Sequence, residues 1–187
     1  MSGNPPDAAA PPAPGLIGVA RALDFAARKH AHQRRKGINA EPYVNHLTEV
    51  ALLLAEATGG SDAGVVMAGL LHDTIEDTET TFAELQAAFG PDVASLVAEV
   101  TDDTRLPREE RRRRQVESAP AKTARARMIK LADKIANLHS IAESPPVGWS
   151  SRRKNEYVAW AREVAAACGP TNPLLERLFD EASRRLE

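Results

Sequence analysis

The stretch AGVVMAGLLHDTIEDT constrains this chain more than any other. Residues 63–71 are apolar throughout and look built for a hydrophobic core. They run, with no turn signal, into His72-Asp73 and then into Glu76-Asp77 one helical turn later. A buried carboxylate needs an ionic partner or a metal to offset its lost hydration. The chain must therefore fold so that an apolar helix delivers its end to a polar cluster that something else holds.

The surrounding sequence reads as helix nearly everywhere. LIGVARALDFAARKHA places Leu16, Val19, Leu23 and Ala27 on one stripe at helical spacing. QRRKGINAEPYVNH is a basic loop with Gly37 and Pro42 as breakers, and HLTEVALLLAEATGG is a second helix closed by Gly59-Gly60. SDAGVVMAGLLHDTIED reads as one continuous third helix, with Ser61 or Asp62 as its N-cap. Thr81 and Glu84 form a capping-box pattern, and Gly90-Pro91 stops the helix they open before DVASLVAEVTDD. In LPREERRRRQVE, Glu109 and Glu110 precede Arg113 and Arg114 by four residues, so the Arg111–Arg114 run reads as a solvent-facing helix held by those acids. KTARARMIKLADKIANLHSIA, SSRRKNEYVAWAREVAAAC and LLERLFDEASRRLE complete the helical segments. Trp149 and Trp160 read as core, and Cys168 as a half-buried helix residue. No alternating strand pattern and no internal repeat is present. The expectation is a single all-α bundle of roughly eight or nine helices over residues 16–187. Residues 1–15, MSGNPPDAAAPPAPG, have nothing to bury and read as a disordered tail.

Several function classes fall away. With 24 basic and 26 acidic side chains the net charge is −2, which is not the balance of a nucleic-acid binder. No apolar run approaches a membrane span, and the N-terminus lacks the basic and apolar regions of a signal peptide. The single cysteine excludes an internal disulfide. A cytoplasmic protein acting on a small molecule is expected, with a homo-oligomer left open.

On a helix His72 shares a face with Glu76, and Asp73 with Asp77. Asp133 lies among Met128, Ile129, Leu131, Ile135 and Leu138, and His46 opens a second apolar helix. One cation drawing on His46, His72, Asp73 and Asp133 explains three apolar segments that each carry a polar side chain. With no thiolate, a structural zinc site is disfavoured. Mixed nitrogen and oxygen ligation suits Mn²⁺, with Fe²⁺, Mg²⁺ or Zn²⁺ as competitors. Such an ion lowers the pKa of bound water, and Glu76 and Asp77 are placed to orient that water or move protons. Arg34, Arg35 and Lys36 suit a phosphate-rich ligand, with Asn39 and Ala40 beside them in the loop.

Taken in order, QRRKG…PYVNH, LLHDTIEDT, FG…V..LV.EVTDD and IKLADKIANL resemble the hydrolase domain of the RelA/SpoT alarmone enzymes, within the HD superfamily of metal-dependent phosphohydrolases. LPREERRRRQVESAP and PPVGWSSRRKNEYVAWA resemble its stand-alone small alarmone hydrolases. The resemblance implies Mn²⁺-dependent hydrolysis of the 3′-pyrophosphate of (p)ppGpp, with metal ligands at His46, His72, Asp73 and Asp133 and a catalytic acidic pair at Glu76 and Asp77. It implies nucleotide contacts at Arg35, Lys36, Arg108, Asn137 and Tyr157. Arg108 stands where a lysine can occur in relatives, and arginine grips phosphate as a fork rather than as a point charge. No synthetase domain follows in the sequence, so a bifunctional enzyme is not expected. The competing readings are an HD-type phosphatase for another nucleotide (a 5′-nucleotidase, or a phosphatase for the 2′-phosphate of NADPH) and a non-catalytic nucleotide sensor.

Overall fold

The computed structural model describes residues 15–186. Its α-helices are α1 (Leu16–Lys29), α2 (Val44–Ala57), α3 (Ala63–Leu71), α4 (Thr74–Asp77), α5 (Phe82–Val100), α6 (Arg108–Ser118), α7 (Ala124–Glu143), α8 (Ser151–Cys168) and α9 (Pro173–Arg184), with a 3₁₀ turn at Ala119–Ala121. Among the described residues there is no strand, only two isolated bridges. The all-α expectation holds. The proposed tail lies outside the described residues, apart from Gly15.

α3 is the hub. Every residue from Val65 to Leu71 is buried, because α1, α2, α5 and α7 all pack on it. Its N-terminus is capped by Asp62, whose Oδ1 accepts from Val65 N at 3.0 Å. Arg125 of α7 binds that same carboxylate at 2.7 Å and Asp92 of α5 at 2.8 Å, tying three helices at one corner. Thr81 caps α5 through Glu84 N, as its capping pattern predicts. Gly90 breaks α5 with φ 85°, a left-handed value that suits glycine, and Pro91 opens the next segment.

Four expectations change. On α1 the buried stripe is Gly18, Ala22 and Ala26, while Leu16 is 84% and Leu23 37% exposed. Small side chains allow α1 to lie close against α3, and that close approach overrides the larger apolar residues. The third helix is not continuous: α3 ends at Leu71, and Asp73 (φ −96°, ψ −2°) starts the single turn α4. His72 Nδ1 bonds Gly69 O at 2.8 Å and Thr74 Oγ1 donates to Leu71 O at 2.6 Å, so side chains take carbonyls that a continuing helix would use. On α6 only Arg113 and Arg114 are held on the outer face, both by Glu110, with Glu117 also on Arg113. Arg111 turns inward to Glu76, and Arg112 lies over the Trp160 ring. α6 buries no residue fully, so such side-chain contacts, with Val116 packed on Ala119, Val164 and Cys168, position it. Cys168 is fully rather than half buried, packed with Ala119 and Val164.

Candidate active site and metal centre

Each of the four expected ligands stands where an element begins, ends or faces α3. His46 is in the first turn of α2, His72 and Asp73 occupy the α3–α4 junction, and Asp133 lies midway along α7. The fold brings them together. Ligand atoms of His46, His72 and Asp133 lie within 4.8 Å of one another. His46 Nε2 is 3.3 Å from Asp133 Oδ1 and 3.7 Å from Asp73 Oδ2. His72 Nε2 is 3.1 Å from Asp73 Oδ2 and 3.7 Å from Asp133 Oδ1.

The surrounding bonds prepare this set for a cation. The bond from His72 Nδ1 to a carbonyl assigns the proton to Nδ1 and leaves the Nε2 lone pair facing the carboxylates. That Nε2 is buried and has no hydrogen-bond partner. Asp133 is further held by Lys134 at 2.8 Å and Asn137 at 2.6 Å, and Asp73 by the Tyr43 hydroxyl at 2.6 Å. Burial alone would push both carboxyls up. The His72 charge instead holds Asp73 below the usual carboxylate range, and Lys134 with the imidazoles does the same for Asp133. Burial also works against a charge on His72, yet Asp73 and Asp133 outweigh it and push its pKa up to about 10. His46 stays below its ordinary value, held there by burial against the pull of Asp133. The cluster thus demands positive charge and takes a proton where no ion is bound. Two imidazole nitrogens and two carboxylates fit a divalent ion.

Glu76 and Asp77 line the same chamber, a cavity of about 280 Å³ that also includes Lys36, Tyr43, Asp102, Arg111, Lys130 and Asn137. Glu76 accepts from Asp102 N at 3.1 Å and from Arg111 Nη1 at 3.2 Å. Burial, then the charges of Asp102 and Asp73, raise its pKa to about 7, the range of a working general base at neutral pH. Asp77 is likewise raised by burial and by Asp73.

A second chamber of about 510 Å³ adjoins the first, sharing Lys36, Tyr43, Glu76, Asp77 and Asn137 with it. Arg34 and Arg35 come from the basic loop and Tyr157 from α8. Asn137 joins the two chambers: its Oδ1 accepts from Arg35 Nη2 at 2.8 Å while its Nδ2 donates to Asp133. Trp149 and Trp160 wall this chamber, Trp149 tilted against Tyr157 at 5.9 Å and Trp160 edge-on to it at 5.4 Å; Trp160 also packs on the Ala119, Val164 and Cys168 cluster, whereas Trp149 is not core. Arg108 is exposed at the start of α6 and lines neither chamber; Asn39 and Ala40 line neither as well. Asn39 instead anchors the basic loop, its N–H donating to Ser144 Oγ at 3.2 Å. That loop is also clasped to residues 144–147 by Ile38 N to Pro145 O and Val147 N to Lys36 O, both 3.2 Å.

Sequence reasoning missed Tyr43, Asp102, Arg111 and Lys130. Tyr43 sits three residues before His46, a spacing that places its ring against His46, with its hydroxyl on Asp73. The others belong to segments far apart in the chain, and nothing local marks them.

Comparison with known proteins supports the same chemistry. A family model described as HD domain matches residues 22–161. The chain is 47% identical over 162 residues to a guanosine-3′,5′-bis(diphosphate) 3′-pyrophosphohydrolase, MESH1, of Xenopus tropicalis, covering 87% of this chain and 90% of that protein. The Homo sapiens protein of the same name is 49% identical over 155 residues, covering 83% and 87%. A solved structure described as a metazoan ortholog of SpoT that hydrolyzes ppGpp and plays a role in starvation responses superposes with a TM-score of 0.85 at 44% identity, covering 89% of this chain and 94% of that one.

Proposed function

The chain belongs to the HD-domain family and, within it, to the guanosine-3′,5′-bis(diphosphate) 3′-pyrophosphohydrolases, and from that premise we propose that it hydrolyses the 3′-pyrophosphate of guanine- or adenine-based (p)ppGpp-type alarmones, with Mn²⁺ as its ion. One observation carries the reading. His46, His72, Asp73 and Asp133 converge beside a carboxylate raised to about neutral pKa, at the foot of a basic, aromatic chamber large enough for a nucleotide.

A divalent ion held by those four side chains supplies Lewis acidity at a phosphate oxygen and an acidified water. Glu76 takes the proton from the attacking water, and Asp77 supports it by holding the water in line. Arg35 and Lys36 bind phosphate oxygens, Arg35 as a fork and Lys36 as a point charge. Asn137 keeps Arg35 in register with Asp133, so the phosphate grip and the ligand set move as one unit. Tyr157 offers its ring face to the nucleoside, and Arg108, outside both chambers, adds positive charge to the field the substrate meets. The new bond joins water oxygen to the phosphorus on the ribose 3′-oxygen. The bond that breaks is that phosphorus–oxygen bond, and the proton held by Glu76 passes to the 3′-oxygen, so pyrophosphate leaves intact and the nucleoside keeps its 5′-phosphates with a free 3′-hydroxyl.

The test is hydrolysis of ppGpp, pppGpp and their adenine counterparts with products resolved, alongside NADPH and nucleoside monophosphates. Pyrophosphate and GDP from ppGpp, restored by Mn²⁺ after chelation, are expected. Release of orthophosphate alone, or turnover of NADPH but of no alarmone, would overturn the proposal.

A further inference from the structure

We propose that Arg111 is a positioning residue that holds Glu76 toward the reaction centre, within a bracket made by Asp102, Gln115 and Lys130; this rests on the hydrolytic reading above. Glu76 stands on the single turn α4, which is too short to fix a side chain by its own packing. Both of its carboxylate oxygens are tied from outside that turn: Oε1 by Arg111 Nη1 at 3.2 Å and Oε2 by the backbone N–H of Asp102 at 3.1 Å.

The second tie is itself braced. The Asp102 carboxylate accepts from Lys130 Nζ of α7 at 3.3 Å and from Gln115 Nε2 of α6. Gln115 and Arg111 are one turn apart on α6 and share a face. Arg111 and the Asp102 backbone thus hold the Glu76 carboxylate directly, while Gln115 of α6 and Lys130 of α7 hold the Asp102 side chain just past the end of α5. Lys130 is 7% exposed, so its bond to Asp102 forms away from bulk water, where such bonds are strong.

Arg111 differs from its neighbours in sequence. Arg113 and Arg114 are bonded to Glu110 on the solvent face, whereas Arg111 lines the chamber. The one apolar side chain of α6, Val116, packs on Ala119, Val164 and Cys168, whereas Arg111 lines the chamber and bonds Glu76. A carboxylate that must receive a proton from water needs its geometry set within a fraction of an ångström, and a misplacement of about 1 Å costs on the order of a hundredfold in rate.

The experiment compares wild type with Arg111→Ala, Arg111→Lys, Asp102→Asn and, as control, Arg113→Ala. Steady-state kinetics on ppGpp and calorimetric Mn²⁺ titration are read on each. Arg111→Ala is expected to lower kcat by about 10- to 100-fold, with KM and Mn²⁺ affinity within about twofold. Arg111→Lys and added guanidinium should each restore part of kcat, Asp102→Asn should repeat the kcat loss, and Arg113→Ala should match wild type. An unchanged kcat in folded Arg111→Ala would overturn the proposal, as would a rise in KM at constant kcat, which would make Arg111 a substrate grip. Wild-type protein that leaves ppGpp intact would instead refute the hydrolytic reading. If Arg111→Ala fails to fold, Arg111→Lys and Asp102→Asn carry the same comparison.

Discussion

The Tyr43 hydroxyl donates to Asp73 Oδ2 at 2.6 Å, and that same oxygen faces His46 and His72 at 3.7 and 3.1 Å. Tyr43 is itself fixed, stacked on the buried His30 ring at 5.1 Å and edge-on to His46 at 5.6 Å. Its bond sets where the lone pairs of Asp73 point. Removing only the hydroxyl, in Tyr43→Phe, keeps both ring contacts and frees the carboxylate to rotate. Loss of an outer partner of a ligand costs about 10- to 100-fold in metal affinity. Calorimetric titration with Mn²⁺ should show a loss at the lower end of that range, with an unchanged far-UV circular dichroism spectrum. Equal affinity would mean that Asp73 is oriented by other groups.

Gly37 controls the other chamber. A Cβ built there would lie 2.3 Å from the Ser144 backbone oxygen and 2.3 Å from its Oγ, so the clasp between the basic loop and residues 144–147 closes only around glycine. Gly37→Ala must open it, at a cost of about 1–3 kcal/mol typical of overpacking. Arg35 and Lys36 are carried by that loop, whereas the four ligand side chains are not. The expected result is a KM for ppGpp raised on the order of tenfold, with Mn²⁺ affinity unchanged. A parallel fall in Mn²⁺ affinity would show that the loop also braces the ligand set.

Glu76 should be a liability to the fold and a requirement for the reaction. In metal-free protein its pKa rises from the ordinary 4.5 to about 7, through burial first and then Asp102 and Asp73. The folded state therefore binds this proton more tightly than the unfolded state. The stability it contributes is full below about pH 4.5 and is lost as pH rises through about 7. A shift of that size corresponds to about 3 kcal/mol, and the 18% exposure of the side chain with Arg111 beside it brings the figure nearer 1–2 kcal/mol. Glu76→Gln removes the charge and should raise Tm at pH 8 by about 2–6 °C in chelator, with little gain at pH 4.5, while abolishing turnover. A Tm difference independent of pH would remove the electrostatic account.

What the sequence made legible follows from how local each signal is. Asp62 and Thr81 act as caps because capping is decided within four residues. His46, His72, Asp73 and Asp133 stood out because each is a polar side chain in an otherwise apolar segment. Leu16 and Leu23 misled because periodicity marks large apolar residues, and α1 instead buries Gly18, Ala22 and Ala26 where two helices come close. The turn of Arg111 into the chamber was hidden because it depends on Glu76, 35 residues away, while a charged run reads locally as a solvated face. Trp149 was misassigned for a related reason: an aromatic ring shows the same sequence pattern whether it fills a core or walls a cleft, and Trp160 does both.

The ligand set should also couple ion binding to stability in a way one substitution can isolate. An ion that binds only the folded chain stabilises it by an amount that grows with concentration, about 2.7 kcal/mol at a hundredfold excess over Kd. In wild type, an ion held by this cluster would take the place of the proton drawn onto His72 and face both carboxylates. In His72→Ala it meets Asp73 and Asp133 without the nitrogen that now sits 3.1 and 3.7 Å from them. Wild-type Tm should therefore climb with Mn²⁺ by roughly 5–10 °C at that excess, and the His72→Ala Tm should stay flat over the same titration. Arg125→Ala, which cuts the Asp62 and Asp92 ties at the far corner of α3, should lower Tm yet keep the full Mn²⁺ response. A His72→Ala protein that still climbed with Mn²⁺ would place the ion outside this cluster, since no other set of three or more metal-binding side chains gathers among the described residues.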